Sequence, residues 1–176
     1  PGVVVKLTTS RYVGVYGTLD LRSTPTEQIV FTSHRDDTYG GDSNGDGTLS
    51  VASRGNWGGL WYFNSDNVLH DVVVRYGGEN GDNDYMIWVQ GGGAAPLEIR
   101  DCVIEEANLD AINNGSLESI WVHDNIIRNY GRYGITGTIA SVEDNSIVGG
   151  SKGINLSDAS VIDGNVVTGS EWGIYL

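Results

Sequence analysis

A short acidic segment, DDTYGGDSNGDGTLS at residues 36–50, holds the residue types best suited to bind a metal ion. Oxygen-bearing side chains alternate along it, and a turn at the glycine that follows them would bring their oxygens towards one centre. Ca²⁺ is a hard cation that takes about six to eight oxygen ligands from carboxylates, amides, carbonyls and water. The candidate ligands within the segment are Asp42, Asn44, Asp46, the backbone carbonyl of Thr48, and Ser50.

The spacing of these residues resembles the calcium loop of EF-hand proteins. The stretch DSNGDGTLS matches the core D-x-D/N-x-D/N-G, with Asp42 at the first position and Gly47 at the turn. Position twelve, where that loop has a bidentate glutamate, is Ser53, and no flanking helices are evident. The resemblance therefore implies a calcium site that takes some of its ligands from other parts of the chain.

A repeat of twenty residues organises the second half of the chain. The segments IWVHDNIIRNYGRYGIT, ASVEDNSIVGGSKGINL and SVIDGNVVTGSEWGIYL align with Asn125, Asn145 and Asn165 in register. Apolar residues recur in three short alternating blocks, which predicts a solenoid whose turns each contribute three strands about 4.8 Å apart along the stack. We expect the asparagines to form an amide ladder, and Cys102, at the equivalent position of its coil, to be a buried core residue.

This pattern resembles the right-handed parallel β-helix repeat family, most clearly over residues 58–176. The resemblance implies an all-β, right-handed parallel β-helix solenoid of about seven coils. We predict one β-helix domain over residues 1–176, with loop insertions at 34–56 and 77–86. The stretches IVFTSHRDDTYGGDSNGDG and GNWGGLWYF are also similar to a module of large bacterial surface-exposed β-helix proteins, which implies a secreted or cell-surface location.

Stacking of coils would bring further acidic residues to the calcium loop. The two insertions fall at the same corner of successive coils, so acidic residues of the second should lie beside the first. The additional candidate ligands are Asp36, Asp37, Glu79, Asp82 and Asp84. We expect a structural calcium ion that fixes the loop to the coils, and the alternative is a solvated acidic loop without an ion.

One outward column of the predicted solenoid carries aromatic rings followed by amides and hydroxyls. It reads Trp61, Trp88, Asn113, Thr136, Asn155 and Tyr175. Sugar rings stack their apolar faces on aromatic side chains, while their hydroxyls bond to amides, so Trp61, Trp88, Asn113 and Tyr175 are candidate polysaccharide ligands. Packing of these rings beneath loops is the alternative interpretation.

A second outward column is charged and reads His70, Arg100, His123, Glu143 and Asp163. In a lyase, an arginine can bind a uronate carboxylate while a histidine removes the neighbouring proton. His70, Arg100 and His123 are the candidates if the chain is an enzyme. A solvated ladder of opposite charges is the default for alternate residues of a solenoid, so the pattern by itself assigns no catalytic residue.

Composition excludes several partners. The chain has 23 acidic and 10 basic residues, a formal charge of −13 and no basic cluster, which makes nucleic acid an unfavourable partner. No segment approaches the ~20 apolar residues of a membrane span, so we expect no membrane insertion. The 26 glycines among 176 residues favour turns and short strands over helices.

Neither end shows a polar cap, because PGVVVKL already has the pattern of a strand and WGIYL lies within a repeat. The chain is then either part of a longer protein or a unit that associates head to tail into a fibre. We expect a calcium-stabilised extracellular β-helix with a structural or adhesive role, whose partner is a polysaccharide or cell-surface glycan. The alternative is a polysaccharide lyase or another carbohydrate-active enzyme.

Overall fold

The computed structural model describes residues 2–79, 81, 84–93, 95–116 and 120–176. Within these ranges the chain forms strands and turns and no helix. The strands in chain order are β1 (Val3–Leu7), β2 (Tyr12–Val15), β3 (Leu21–Arg22), β4 (Ile29–Ser33), β5 (Gly59–Tyr62), β6 (Val68–His70), β7 (Val72–Arg75), β8 (Tyr85–Val89), β9 (Leu97–Arg100), β10 (Val103–Glu105), β11 (Asp110–Asn114), β12 (Ile120–His123), β13 (Ile126–Arg128), β14 (Tyr133–Glu143), β15 (Ser146–Val148), β16 (Lys152–Asp163), β17 (Val166–Thr168) and β18 (Trp172–Tyr175).

These strands stack in parallel as three faces of a β-solenoid of about seven turns, which confirms the predicted fold class. The first face is one sheet in the order β1, β4, β7, β10, β13, β15 and β17, with one strand from each coil. The second face runs through β2, β5, β8 and β11 into the first parts of β14 and β16, and then β18. The third face runs through β3, β6, β9 and β12 into the last parts of β14 and β16.

The register between coils is the one that the repeat predicts. On the third face, Leu69 pairs with Ile99, Ile99 with Val122, and Val122 with Val142. On the second face, Ile112 pairs with Ile135 in the same manner. Every one of these side chains is fully buried, so successive coils add equivalent apolar residues to one continuous core.

The corners of the coils use single residues in the left-handed backbone region. Between the third and first faces, the residue at this corner is Asp71, Asp101, Asp124, Asp144 or Gly164, with φ between 53° and 64°. Aspartate and glycine tolerate this region better than most residues, so the repeated D-N and G-N pairs encode a sharp corner. The aspartates beside the charged column therefore have a structural role as corner residues.

The predicted asparagine ladder lies directly behind this corner. The Oδ1 atom of Asn145 accepts hydrogen bonds from the backbone N–H and the Nδ2 of Asn125, at 3.0 and 2.9 Å. Asn145 donates in turn to Asn165 Oδ1 at 2.9 Å. Cys102 occupies the next position of the column, 1% exposed, and its N–H donates to Asn125 Oδ1 at 3.0 Å. The ladder satisfies buried backbone groups that the corners would otherwise leave without partners.

Two excursions leave the stack at the corner between the first and second faces. Residues 34–58 connect β4 to β5, and residues 76–84 connect β7 to β8. The indole of Trp57 is fully buried and donates to the carbonyl of Arg75 at 2.8 Å, which anchors the return of the first excursion to the next coil. The acidic segment is thus held at its base by the core of the solenoid.

Candidate functional site

The first turn of the acidic segment is fixed by an ion-pair chain on the first face. Asp36 is 2% exposed and accepts a hydrogen bond from Thr32 Oγ1 at 2.6 Å. Arg75 Nε lies 3.7 Å from Asp36 Oδ2 and 3.2 Å from a carboxylate oxygen of Glu105. Glu105 also binds Arg128 of the following coil at 2.7 Å. Asp36 therefore ends a charge chain that joins four successive coils.

The candidate calcium motif itself is a compact turn closed by its own side chains. The Asp42 carboxylate accepts from the backbone N–H groups of Gly45 and Gly47 at 2.7 and 2.8 Å. The bond from Gly47 holds the pKa of Asp42 below its ordinary value, so this exposed carboxyl stays ionised to lower pH. Asn44 Nδ2 donates to Asp46 Oδ2 at 3.0 Å and to Ser50 Oγ at 2.8 Å.

Two carboxylate oxygens near this turn lack a partner among the described residues. Asp37 Oδ1 and Asp46 Oδ1 are buried atoms without a hydrogen-bond partner. A cavity of about 210 Å³ lies beside the turn, and Asp36, Asp37, Thr48 and Ser50 are among its lining residues. Within the described part of the chain, no three His, Cys, Asp or Glu residues converge as a metal-binding group. Any ion here would take amide, hydroxyl and carbonyl oxygens as well as carboxylates.

Two described acidic residues of the second insertion, Glu79 and Asp84, make contacts away from this cavity. Glu79 accepts hydrogen bonds from the backbone N–H and the hydroxyl of Ser10, which lies in the first coil. Asp84 Oδ1 accepts from the N–H of Gly81 at 2.8 Å. Asp82 lies outside the described residues. The predicted ligands of the first insertion fall into separate groups: Asp36, Asp37, Thr48 and Ser50 line the cavity, Asn44 bonds to Asp46 and Ser50, and Asp42 closes on Gly45 and Gly47. Glu79 and Asp84 make other contacts.

The aromatic column of the second face forms part of a larger cluster. Trp61 and Trp88 pair directly between β5 and β8, with ring centroids 5.3 Å apart and planes at 90°. Four further rings from the first three coils surround them. This aromatic cluster consists of Tyr12, Tyr16, Trp61, Phe63, Tyr85 and Trp88.

The outer layer of the aromatic cluster is exposed. Tyr12 stacks on Trp61 at 4.0 Å and Tyr16 stacks on Phe63 at 4.4 Å, and the two tyrosines are 46% and 72% exposed. Gly14 lies between the tyrosines, and a Cβ there would come within 3.2–3.3 Å of both rings. The sequence signal for these rings is the alternation of outward residues in YVGVY and WYF. The insertions between coils obscured that signal.

The second face continues as a polar surface beyond the aromatic cluster. Asn113 follows Trp88 in register, and Asn155 pairs with Tyr175. Asn155 Nδ2 donates to Thr136 Oγ1 at 3.0 Å and its Oδ1 accepts from Lys152 Nζ at 3.0 Å. The predicted order of rings, amides and hydroxyls is therefore present along one face of the stack.

The charged column of the third face is an ion-pair network in the third and fourth coils. Arg100 binds Glu98 at 3.3 Å and Asp101 at 3.0 Å. His123 Nδ1 lies 2.9 Å from Asp124, and its Nε2 lies 3.2 Å from Glu98. The other candidate, His70, has its Nε2 3.2 Å from carboxylate oxygens of Asp71 and Asp101. All three candidate catalytic residues are thus engaged with carboxylates of the same face.

Comparison with known proteins adds nothing to this geometry. No family model matches the chain, and neither the curated proteins nor the solved structures include a significant match. Among the described residues there is no helix of the length and apolarity that crossing a bilayer requires. A fold alone does not define a function, which depends on the residues at its surfaces.

Proposed function

We propose that this chain is a calcium-stabilised extracellular β-helix with a structural or adhesive role, which binds a polysaccharide through the aromatic cluster. The observation that carries the proposal is the contiguous set of six rings on three successive coils, with amides and hydroxyls following along the same face. Pyranose rings stack on aromatic faces, and their hydroxyls bond to amides, so an extended glycan fits this order of groups.

The rigidity of the solenoid supports binding. The rings of the aromatic cluster project from parallel strands or directly beyond them, so the second face already holds them in position. Little conformational entropy is lost when a ligand binds a surface that is already ordered. The exposed rings of Tyr12 and Tyr16 provide the outer contacts, and Trp61 and Phe63 support them from below.

The ion pairs of the third face favour binding over a lyase activity. A polyuronate lyase needs a cation that is free to hold the substrate carboxylate and a base that is free to take a proton. Arg100 is already paired with Glu98 and Asp101, and both ring nitrogens of His123 face carboxylates. A uronate would have to displace these partners, and breaking the existing ion pairs costs free energy. A neutral glycan on the second face does not have to break them.

The calcium part of the proposal is supported by the unpaired buried oxygens of Asp37 and Asp46. A site with few carboxylates is expected to be weak, and extracellular calcium modules work at about 10⁻⁴–10⁻³ M. Such a site agrees with a protein that functions outside the cell. Its role is to fix the long excursion between β4 and β5 to the coils.

The proposed glycan surface is tested by calorimetric titration with cellohexaose, xylohexaose and mannohexaose. We expect binding of at least one neutral hexasaccharide, and about a tenfold or greater loss of affinity in Tyr12→Ala and in Trp88→Ala. Trp172→Ala, which removes an exposed ring from the seventh coil, well away from the aromatic cluster, is the matched control and should bind like the wild type.

Two results would contradict this assignment. One is the failure of all three hexasaccharides to bind. The other is that Tyr12→Ala and Trp88→Ala both keep the wild-type melting temperature and also bind with the wild-type affinity. Alginate and pectin are tested separately for the unsaturated products of a lyase. Product formation that disappears in Arg100→Ala or His123→Ala would favour the enzyme instead.

A further inference from the structure

An open groove crosses the third face between the fourth and fifth coils, away from the aromatic cluster. Its volume is about 360 Å³, and its lining residues are Trp121, His123, Asp124, Ser141, Glu143 and Asp144. The strand register creates it, because Trp121 of β12 pairs with Ser141 of β14 and His123 pairs with Glu143. The corner residues Asp124 and Asp144 form its edge, one position beyond the strands.

The groove presents an exposed indole. Trp121 is 45% exposed, whereas Trp57 of the same chain is fully buried. Its neighbours in the outward column are Glu98 on one side and Ser141 on the other. Serine is small, and its hydroxyl donates to Glu143, so the side of the indole towards the fifth coil borders open space and polar groups. An exposed ring beside hydrogen-bonding groups is a suitable surface for one face of a sugar.

The groove is strongly acidic. Asp124, Glu143 and Asp144 contribute three carboxylates to its lining, and within the described part of the chain His123 is the one basic side chain there. That imidazole already contacts Asp124 and Glu98. The nearest arginine of the charged column, Arg100, is paired with Glu98 and Asp101. Glu143 and Asp144 therefore have no cationic neighbour among these contacts, and a cationic ligand complements them.

We propose that this groove binds a cationic amino-sugar oligosaccharide, with a pyranose face on Trp121 and a protonated amino group against the carboxylates of Glu143 and Asp144. A polyamine would satisfy the charges but would not use the indole face. A neutral glycan would use the indole but would leave the carboxylates without partners. The combination of ring and carboxylates selects a sugar that carries an ammonium group.

This site is separate from the aromatic cluster, so the two can fail independently. Titrations use the full chain at about pH 6 and low salt with three probes: the fully deacetylated glucosamine trimer, its fully N-acetylated form, and trilysine. We expect the glucosamine trimer to bind at least about tenfold more tightly than either of the others. Its affinity should fall as salt is added, because ammonium–carboxylate attraction at an open surface is screened.

Variants distinguish the groove from general attraction to an acidic protein. Trp121→Ala and Glu143→Gln should each weaken binding of the glucosamine trimer by about tenfold. Asp158→Asn removes the same charge from an exposed position outside the groove. This control should bind like the wild type. Trp121→Phe retains a ring if the alanine variant unfolds, and should bind more tightly than Trp121→Leu.

The proposal is overturned if trilysine or the N-acetylated trimer binds as tightly as the glucosamine trimer. It is equally overturned if the glucosamine trimer does not bind, or if the folded Trp121 variants bind like the wild type. Loss of neutral hexasaccharide binding in Tyr12→Ala bears on the aromatic cluster only. The two proposed surfaces therefore give distinct sets of results.

Discussion

Cys102 shows how a single position can interrupt a repeated interaction. Its thiol donates towards the carbonyls of Arg100 at 3.1 Å and Leu69 at 3.5 Å. In the coils that follow, the amide of Asn145 donates to the equivalent carbonyls of Glu143 and Val122 at 2.8 and 2.9 Å. Cysteine thus makes weaker versions of the bonds that asparagine makes elsewhere in the column. Its burial, 1% exposed, agrees with the core role expected from sequence.

We expect Cys102→Asn to extend the ladder and to raise the free energy of unfolding by about 1 kcal/mol. Burial raises the pKa of the present thiol to about 12, and the backbone of Val72 offers it a hydrogen bond that an amide oxygen would accept better. Urea denaturation measures the change. Cys102→Ala is the control and should lower stability by about 1–2 kcal/mol, because it leaves a small cavity. A destabilised asparagine variant would show that Val72 leaves no room for the amide.

At the scale of one residue, the role of a side chain depends on its contacts with other coils. Those contacts join residues that are far apart in the sequence. Asp36 has the residue type of a calcium ligand, but its carboxylate is held by Thr32 and faces Arg75 of the next coil. Glu79 was predicted to approach the acidic segment and instead binds Ser10. The long excursion at residues 34–58 removes the fixed spacing that would have predicted these pairs.

The asparagine ladder contributes strongly to the free energy of unfolding although it consists of few residues. Asn145 is 1% exposed and bonds to the neighbouring coils on both sides. We expect Asn145→Ala to lower the free energy of unfolding by about 3 kcal/mol, because buried N–H and C=O groups lose their partners together. Asn155→Ala is the matched control, since Asn155 lies in the same coil, is half-buried and points outward to Thr136 and Lys152.

Equal unfolding midpoints for these two variants would contradict the structural role of the ladder. Asn155→Ala removes contacts at a solvated surface, where water replaces lost hydrogen bonds, so its cost should stay below about 1 kcal/mol. Thermal unfolding followed by circular dichroism measures both. The two variants share residue type, coil and substitution, so any difference in stability reflects the position of the asparagine in the ladder or at the surface.

The register of strands could be predicted because a period of twenty residues repeats apolar and asparagine positions together. Every pair of equivalent residues from Leu69 to Ile162 follows that period once the insertions are removed. The aromatic cluster was only partly predicted. Tyr12 and Tyr16 belong to the first coil, where the glycine between them and the short third strand weaken the repeat. Their contacts with Trp61 and Phe63 emerge only when coils stack.

On the scale of the whole molecule, the solenoid distributes its charge unevenly. The formal charge is −13, and basic residues pair with carboxylates on the first face and in the third and fourth coils. The acidic segment and the groove beside Trp121 retain carboxylates without such partners. Repulsion among like charges destabilises a compact state, and cations that bind the folded chain relieve it. Calcium and ammonium ligands would do so at two different corners of the stack.

We expect calcium to stabilise the whole chain through the acidic segment. A ligand that binds only the folded state at about a hundred times its Kd adds about 2.7 kcal/mol, which corresponds to a rise in Tm of about 5–10 °C for a chain of this length. Calorimetry in calcium and in chelator measures the difference. Asp46→Asn should abolish most of the rise, because it removes the charge of a carboxylate that has one unpaired buried oxygen.

Asp163→Asn is the matched control for calcium. Asp163 is exposed and accepts a hydrogen bond from the N–H of Gly164 at 2.9 Å, much as Asp42 accepts from Gly47, but it lies at the opposite end of the stack. Its calcium-dependent rise in Tm should equal that of the wild type, which separates a specific site from general screening of an acidic protein. Identical melting curves in calcium and chelator, or an undiminished rise in Asp46→Asn, would leave the acidic segment as a hydrogen-bonded turn that closes on itself without an ion.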